Sequence, residues 1–106
     1  MHAVKIFESP HFEVNGLDYW EPLSKELTQA VSARAVIVNV PLQEHTHTDV
    51  EQVYYIRSGR GIMRIDGEEQ EVEKDMIVFI PTGSAHSITP LEGDEKLSYL
   101  FLNRYF

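Results

Sequence analysis

No cysteine occurs in the 106 residues. Disulfides, thiolate zinc sites, iron–sulfur clusters and cysteine nucleophiles are thereby excluded. Any transition metal must be held by imidazole and oxygen ligands. Basic residues are scarce too. Nine Lys and Arg stand against seventeen Asp and Glu, a net charge of −8. Phosphate neutralisation needs a cationic surplus, so nucleic acid and anionic membranes are not expected partners. No apolar run approaches the roughly 20 residues of a membrane span. The opening MHAVKIFESP has neither the basic start nor the apolar stretch of a secretory signal. The expectation is a soluble, cytoplasmic protein.

What is present is ordinary in bulk. The hydrophobic fraction is 42% and the charged fraction 25%, as in a globular domain. The length allows one domain with one core. Long helical patterns are missing, and β-branched runs take their place.

Residues 1–32 are an N-terminal arm with the first strands. Val4–Phe7 has the composition of a short strand. Leu23, Leu27 and Val31 fall at helix spacing, but a strand pair with a turn also fits. From residue 33 the strand signals are regular. Ala33–Val40, Glu51–Arg57, Ile62–Ile65, Glu68–Val72, Met76–Ile80, Ala85–Thr89 and Leu97–Leu102 each read as a strand. Ser58–Gly61 and Thr82–Ser84 read as turns, and Asp66-Gly67 as a two-residue hairpin turn. At least seven short strands at intervals of about ten residues imply an all-β antiparallel sandwich or barrel. The core is expected over 33–102, with 103–106 as a C-terminal tail whose apolar end docks on its own barrel or on a neighbour. Asp66–Asp75 is dense in carboxylates and reads as a solvated hairpin edge.

Five histidines stand out on this background: His2, His11, His45, His47 and His86. On a strand, residues two apart point to one face, so His45 and His47 can converge on one ion. Gln52 starts the next apolar strand, and His86 follows the turn after Pro81. Together they offer three imidazole nitrogens and one amide oxygen. His2 and His11 lie in polar, punctuated segments and read as solvated.

The spacing His45-x-His47-x4-Gln52-x6-Gly59 resembles the first motif of the cupin superfamily, G-x5-H-x-H-x3-4-E-x6-G. Asp75-x5-Pro81-x-Gly83-x2-His86 resembles its second motif, G-x5-P-x-G-x2-H-x3-N. The resemblance covers residues 33–102. It implies a jelly-roll barrel holding one divalent metal (Zn, Ni, Fe, Mn or Cu) on His45, His47, Gln52 and His86, usually in a homodimer. The chain departs from the motifs at four places. Asn39 and Asp75 replace glycines, Pro90 replaces the final asparagine, and Gln52 replaces the usual glutamate.

That last change alters the chemistry. Four neutral ligands leave a divalent ion its full charge, whereas glutamate would cancel half of it. A more positive centre polarises ligand oxygens harder and gives less support to a 3+ state. Lewis-acid work on a small anionic sugar acid or oxo-acid, as an isomerase, ring-opening enzyme or lyase, is therefore expected over redox chemistry. A non-catalytic ligand-binding cupin and a metal-dependent dioxygenase stand as alternatives. The three-His-plus-Gln set also looks like that of pectin-degradation cupins and polyketide cyclases. The former want a carboxylate late in the chain, which Leu97–Phe106 does not supply.

Alternation from Gln52 turns Tyr54 and Ile56 inward, so Tyr54 is a candidate donor to substrate. Arg64 is a candidate anchor for a carboxylate if its face of the strand turns inward. Met76–Ile80 is apolar on both faces, so one face lines the barrel and the other is expected to be covered, as by a partner subunit.

Overall fold

The computed structural model describes all 106 residues, Met1–Phe106. Ten strands follow in chain order: β1 (His11–Val14), β2 (Leu17–Leu23), β3 (Val31–Val38), β4 (Leu42–His45), β5 (Val50–Ser58), β6 (Arg60–Ile65), β7 (Glu68–Glu73), β8 (Ile77–Ile80), β9 (His86–Pro90) and β10 (Leu97–Tyr105). They form a six-stranded sheet, β1-β2-β3-β10-β5-β8, and a four-stranded sheet, β4-β9-β6-β7. All pairings are antiparallel. This is the jelly-roll arrangement, and no helix is long and apolar enough to cross a membrane.

The core lies between the sheets. Val36, Tyr54, Ile56, Tyr99 and Phe101 come from the larger sheet, and Met63, Val72 and Ile88 from the smaller one. Period-2 alternation puts them there. Along β5, Val50, Gln52, Tyr54 and Ile56 are buried while Tyr55 is exposed. Register then lines inward residues into rows across the large sheet. One row is Ser32–Asn103–Gln52–Ile80, the next Arg34–Phe101–Tyr54–Val78, and the third Val36–Tyr99–Ile56. Two of these rows carry polar groups inward, at the end of the barrel where the histidines lie.

The Asp66-Gly67 turn is present, with φ of 49° and 85°, and joins β6 to β7. Asp75 takes a φ of 71°, so this departure from glycine keeps a left-handed turn. Two expectations are corrected. Val4–Phe7 is not a strand: Ile6–Glu8 is a single 3-10 turn, closed by Ser9 donating to the Ile6 carbonyl. Phe7 then packs edge-on against Trp20. Leu23–Val31 is neither a sustained helix nor a strand pair. One helical turn, α1 (Lys25–Thr28), links β2 to β3, and the Thr28 hydroxyl donates to the Val31 carbonyl to end it. The expected docking of the C-terminal end is seen, because β10 runs to Tyr105 between β3 and β5.

Candidate metal centre

His45 is the last residue of β4 and stands opposite His86, the first of β9. His47 follows two residues later, beyond the strand end, so a regular strand does not hold the pair as expected. The three rings nonetheless converge. Their centroids are 4.9 Å (His45–His47), 4.1 Å (His45–His86) and 5.4 Å (His47–His86) apart. One nitrogen of each lies within 4.8 Å of the others.

Backbone contacts set the tautomers. His45 Nδ1 bonds the Gln43 carbonyl at 2.8 Å, and His86 Nδ1 bonds the Ser84 carbonyl at 3.0 Å. A carbonyl only accepts, so each Nδ1 carries the proton and each Nε2 offers a lone pair. Burial pushes the His86 imidazole down to about 4. It also lowers His47, with His45 adding to the effect and Asp49 opposing it. Neutral rings are the ligand form.

Two buried atoms here have no partner, His86 Nε2 and Gln52 Oε1. An orphaned buried polar atom costs about 1–3 kcal/mol. Two of them beside a histidine cluster are poor stability design and good ligand design. The donor set fits a divalent cation. Gln52 enters from β5, where its Nε2 donates to Asn103 Oδ1 at 2.8 Å.

His45, His47 and Gln52 line a cavity of about 240 Å³. Tyr54 also lines it and is 2% exposed. Its ring stacks on Tyr99 at 4.2 Å, and burial raises its pKa, so the phenol stays protonated. Arg64 is not in this cavity. β6 buries Gly61 and Met63, so Arg64 alternates to the outer face and pairs with Glu69 at 3.1 Å. His2 and His11 are on the surface, bonded to the Pro22 carbonyl and to Asp18.

Sequence reasoning missed three residues here. Arg34 lines the cavity, its Nε donating to Glu21 at 2.6 Å and its guanidinium 5.1 Å from the centre of the Phe12 ring. It shares the inward face of β3 with Ser32, Val36 and Val38. One charge in an otherwise apolar strand was the available signal. Asp49, the single carboxylate of the lining, sits in a loop and gave none. Asn103 was hidden by treating 103–106 as a tail.

Comparison with known proteins agrees with this fold. An uncharacterized protein of Methanocaldococcus jannaschii is 36% identical over 64 residues, 60% of this chain and 51% of that protein. The chain thus spans about half the length of that relative. A structure from Thermotoga maritima, described as a predicted oxalate decarboxylase, matches with a TM-score of 0.83 and 20% identity, covering 98% of this chain and 99% of that one. Pac13 of Streptomyces, a nucleoside dehydratase, matches with a TM-score of 0.79 and 15% identity, covering 99% and 82%. At such identities the two structures share the fold. The family model of the cupin domain matches residues 38–103, a span that holds all four candidate ligands, and the chain belongs to the cupin family.

Proposed function

We propose that this cupin is a divalent-metal enzyme acting by Lewis-acid chemistry on a small anionic sugar acid or oxo-acid. One observation carries the reading. The orphaned His86 Nε2 and Gln52 Oε1 join His45 and His47 at a cavity whose lining holds one guanidinium, that of Arg34. His45, His47, His86 and Gln52 would hold the ion, which supplies polarisation of a substrate oxygen when bound. The donor set accommodates Zn, Ni, Fe, Mn or Cu.

The remaining work falls to this chain's own side chains. Arg34 takes over the anchoring role expected of Arg64. Glu21 occupies its Nε, and its two terminal amino groups make no hydrogen bond within the protein. Those two groups are the end-on fork that receives a carboxylate. Phe12 and Tyr19 give that end of the cavity aromatic walls that exclude water. Tyr54, kept protonated by burial, is a neutral donor to a substrate oxygen. Asp49 is placed at the cavity to move a proton. The Pac13 neighbour is a dehydratase, which favours an isomerase or lyase over an oxidase.

The test is turnover of metal-loaded protein on a panel of sugar acids and keto or hydroxy acids in deuterated water. Product with deuterium at the exchanged carbon is expected, abolished in His86→Ala. Arg34→Ala should raise KM by 10-fold or more, since a charged hydrogen bond is worth about 1.5–3 kcal/mol. Tight ligand binding without turnover under every metal would leave a sensor. Oxygen consumption would instead identify a dioxygenase.

A further inference from the structure

A glutamine that serves as a metal ligand faces a problem glutamate does not have. Its two amide ends are alike in shape and opposite in role. Only the oxygen can bind a cation, and the NH2 end would present protons to it. Something must choose between the two.

In this chain the Gln52 amide is held by a buried run of hydrogen bonds. Gln52 Nε2 donates to Asn103 Oδ1 at 2.8 Å. Asn103 Nδ2 donates to Ser32 Oγ at 3.0 Å. Ser32 Oγ meets the Tyr105 hydroxyl at 3.0 Å. Gln52, Asn103 and Ser32 are 6%, 4% and 0% exposed, so no solvent competes. They form one row across β5, β10 and β3, which fixes their separation.

We propose that Asn103 is a positioning residue that holds the Gln52 oxygen toward the imidazoles, with Ser32 holding the Asn103 amide in turn. The inference rests on the metal centre proposed above. Amide N–H groups only donate and amide oxygens only accept, so the orientation of one amide dictates that of the other. With Gln52 Oε1 turned in, Asn103 must accept from Gln52 and donate to Ser32. Ser32 keeps its own proton and a second lone pair, so its 3.0 Å bond to the Tyr105 hydroxyl can run in either direction. The reverse direction makes the same number of bonds within the run. Tyr105 donates to Ser32, Ser32 to Asn103, and Asn103 to Gln52, which puts the Gln52 NH2 against the histidines. A cation at the histidines selects the first direction, and the Asn103 bond then holds Gln52 in it.

The test measures Zn²⁺ affinity by competition with a chromophoric chelator, for Asn103→Leu, Gln52→Ala and the double variant, with thermal unfolding as a folding control. Asn103→Leu should weaken binding by about 10-fold or more, the usual cost of losing a partner behind a ligand. In the Gln52→Ala background the same substitution should change little, because its effect runs through Gln52. Ser32→Ala is a gentler second variant, expected to weaken binding about 3-fold, on the scale of one lost neutral hydrogen bond. Equal affinity in wild type, Asn103→Leu and Ser32→Ala would overturn the positioning role. So would a full loss from Asn103→Leu in the Gln52→Ala background, which marks a purely structural effect. If the wild-type protein itself takes up no divalent cation, the metal centre falls, and this inference with it.

Discussion

His86 couples the candidate centre to stability through one proton. Burial holds its imidazole at about 4, against 6.5 in an unfolded chain. Between those values the unfolded state binds the proton and the folded state does not. Stability therefore rises with pH across this window and is fully present above 6.5. One pKa unit is about 1.4 kcal/mol, so the whole shift carries about 3 kcal/mol at most. Urea unfolding of metal-free protein at about pH 7 and about pH 5 should show a clear loss at the lower pH. His86→Gln should shrink that difference, and an unchanged one would refute the assignment. The four candidate ligands were legible in the sequence because their spacing follows the two cupin motifs, although His47 lies beyond the end of β4. The proposed anion anchor, Arg34, was not. Alternation separates Met63 and Ile65 from Ile62 and Arg64, but each face carries an apolar residue, and alternation alone does not say which is inside. The packing of Met63 decides it, and that depends on the opposite sheet. Arg34 escaped for the converse reason, since an apolar strand conceals which of its faces lines a cavity.

Elements set by local chemistry were the legible part of the fold. The β6–β7 hairpin follows from Asp66-Gly67 alone, and the strands from residue 33 onward follow from β-branched runs between turns. Elements set by distant partners were not. The 3-10 turn at Ile6–Glu8 rests against Trp20, and β10 extends to Tyr105 because β3 and β5 flank it on both sides. Two glycines show the same divide and yield a prediction. Gly67 has a φ of +85°, with nothing near an added Cβ. Gly67→Ala should cost about 1–2 kcal/mol, the left-handed strain alone. Gly59 has a φ of +72°, and an added Cβ would meet the Leu97 backbone nitrogen at 2.5 Å. Backbone cannot step aside as a side-chain tip can, so Gly59→Ala should cost about 3 kcal/mol or more. Denaturant midpoints of the two variants check this, and equal losses would mean the β5–β10 approach is looser than it looks.

At the scale of the whole molecule, the apolar outer face expected on Met76–Ile80 is present and uncovered. Ile77 and Phe79 are 70% and 53% exposed. Register continues them into two rows, Phe79–Val53–Leu102 and Ile77–Tyr55–Leu100, across β8, β5 and β10. Beside this face Arg104 pairs with Glu51, and Tyr55 donates to Asp75. A second copy of the same face would bring apolar rows against apolar rows, and a twofold contact lets each row cover its mate. We therefore expect a homodimer through this surface. The net charge then makes a distinctive prediction. Two copies of like charge repel at long range while the contact itself is apolar, so association should tighten as salt rises from about 0.01 to about 0.1 M and the Debye length falls from about 30 to about 10 Å. A contact held by ion pairs would weaken over the same range. Sedimentation equilibrium at the two salt concentrations measures this directly. Phe79→Glu should leave a monomer at both, with Zn²⁺ affinity unchanged because the residue faces away from the histidines. A monomeric wild-type protein at both concentrations would show that the exposed face does not serve a second copy.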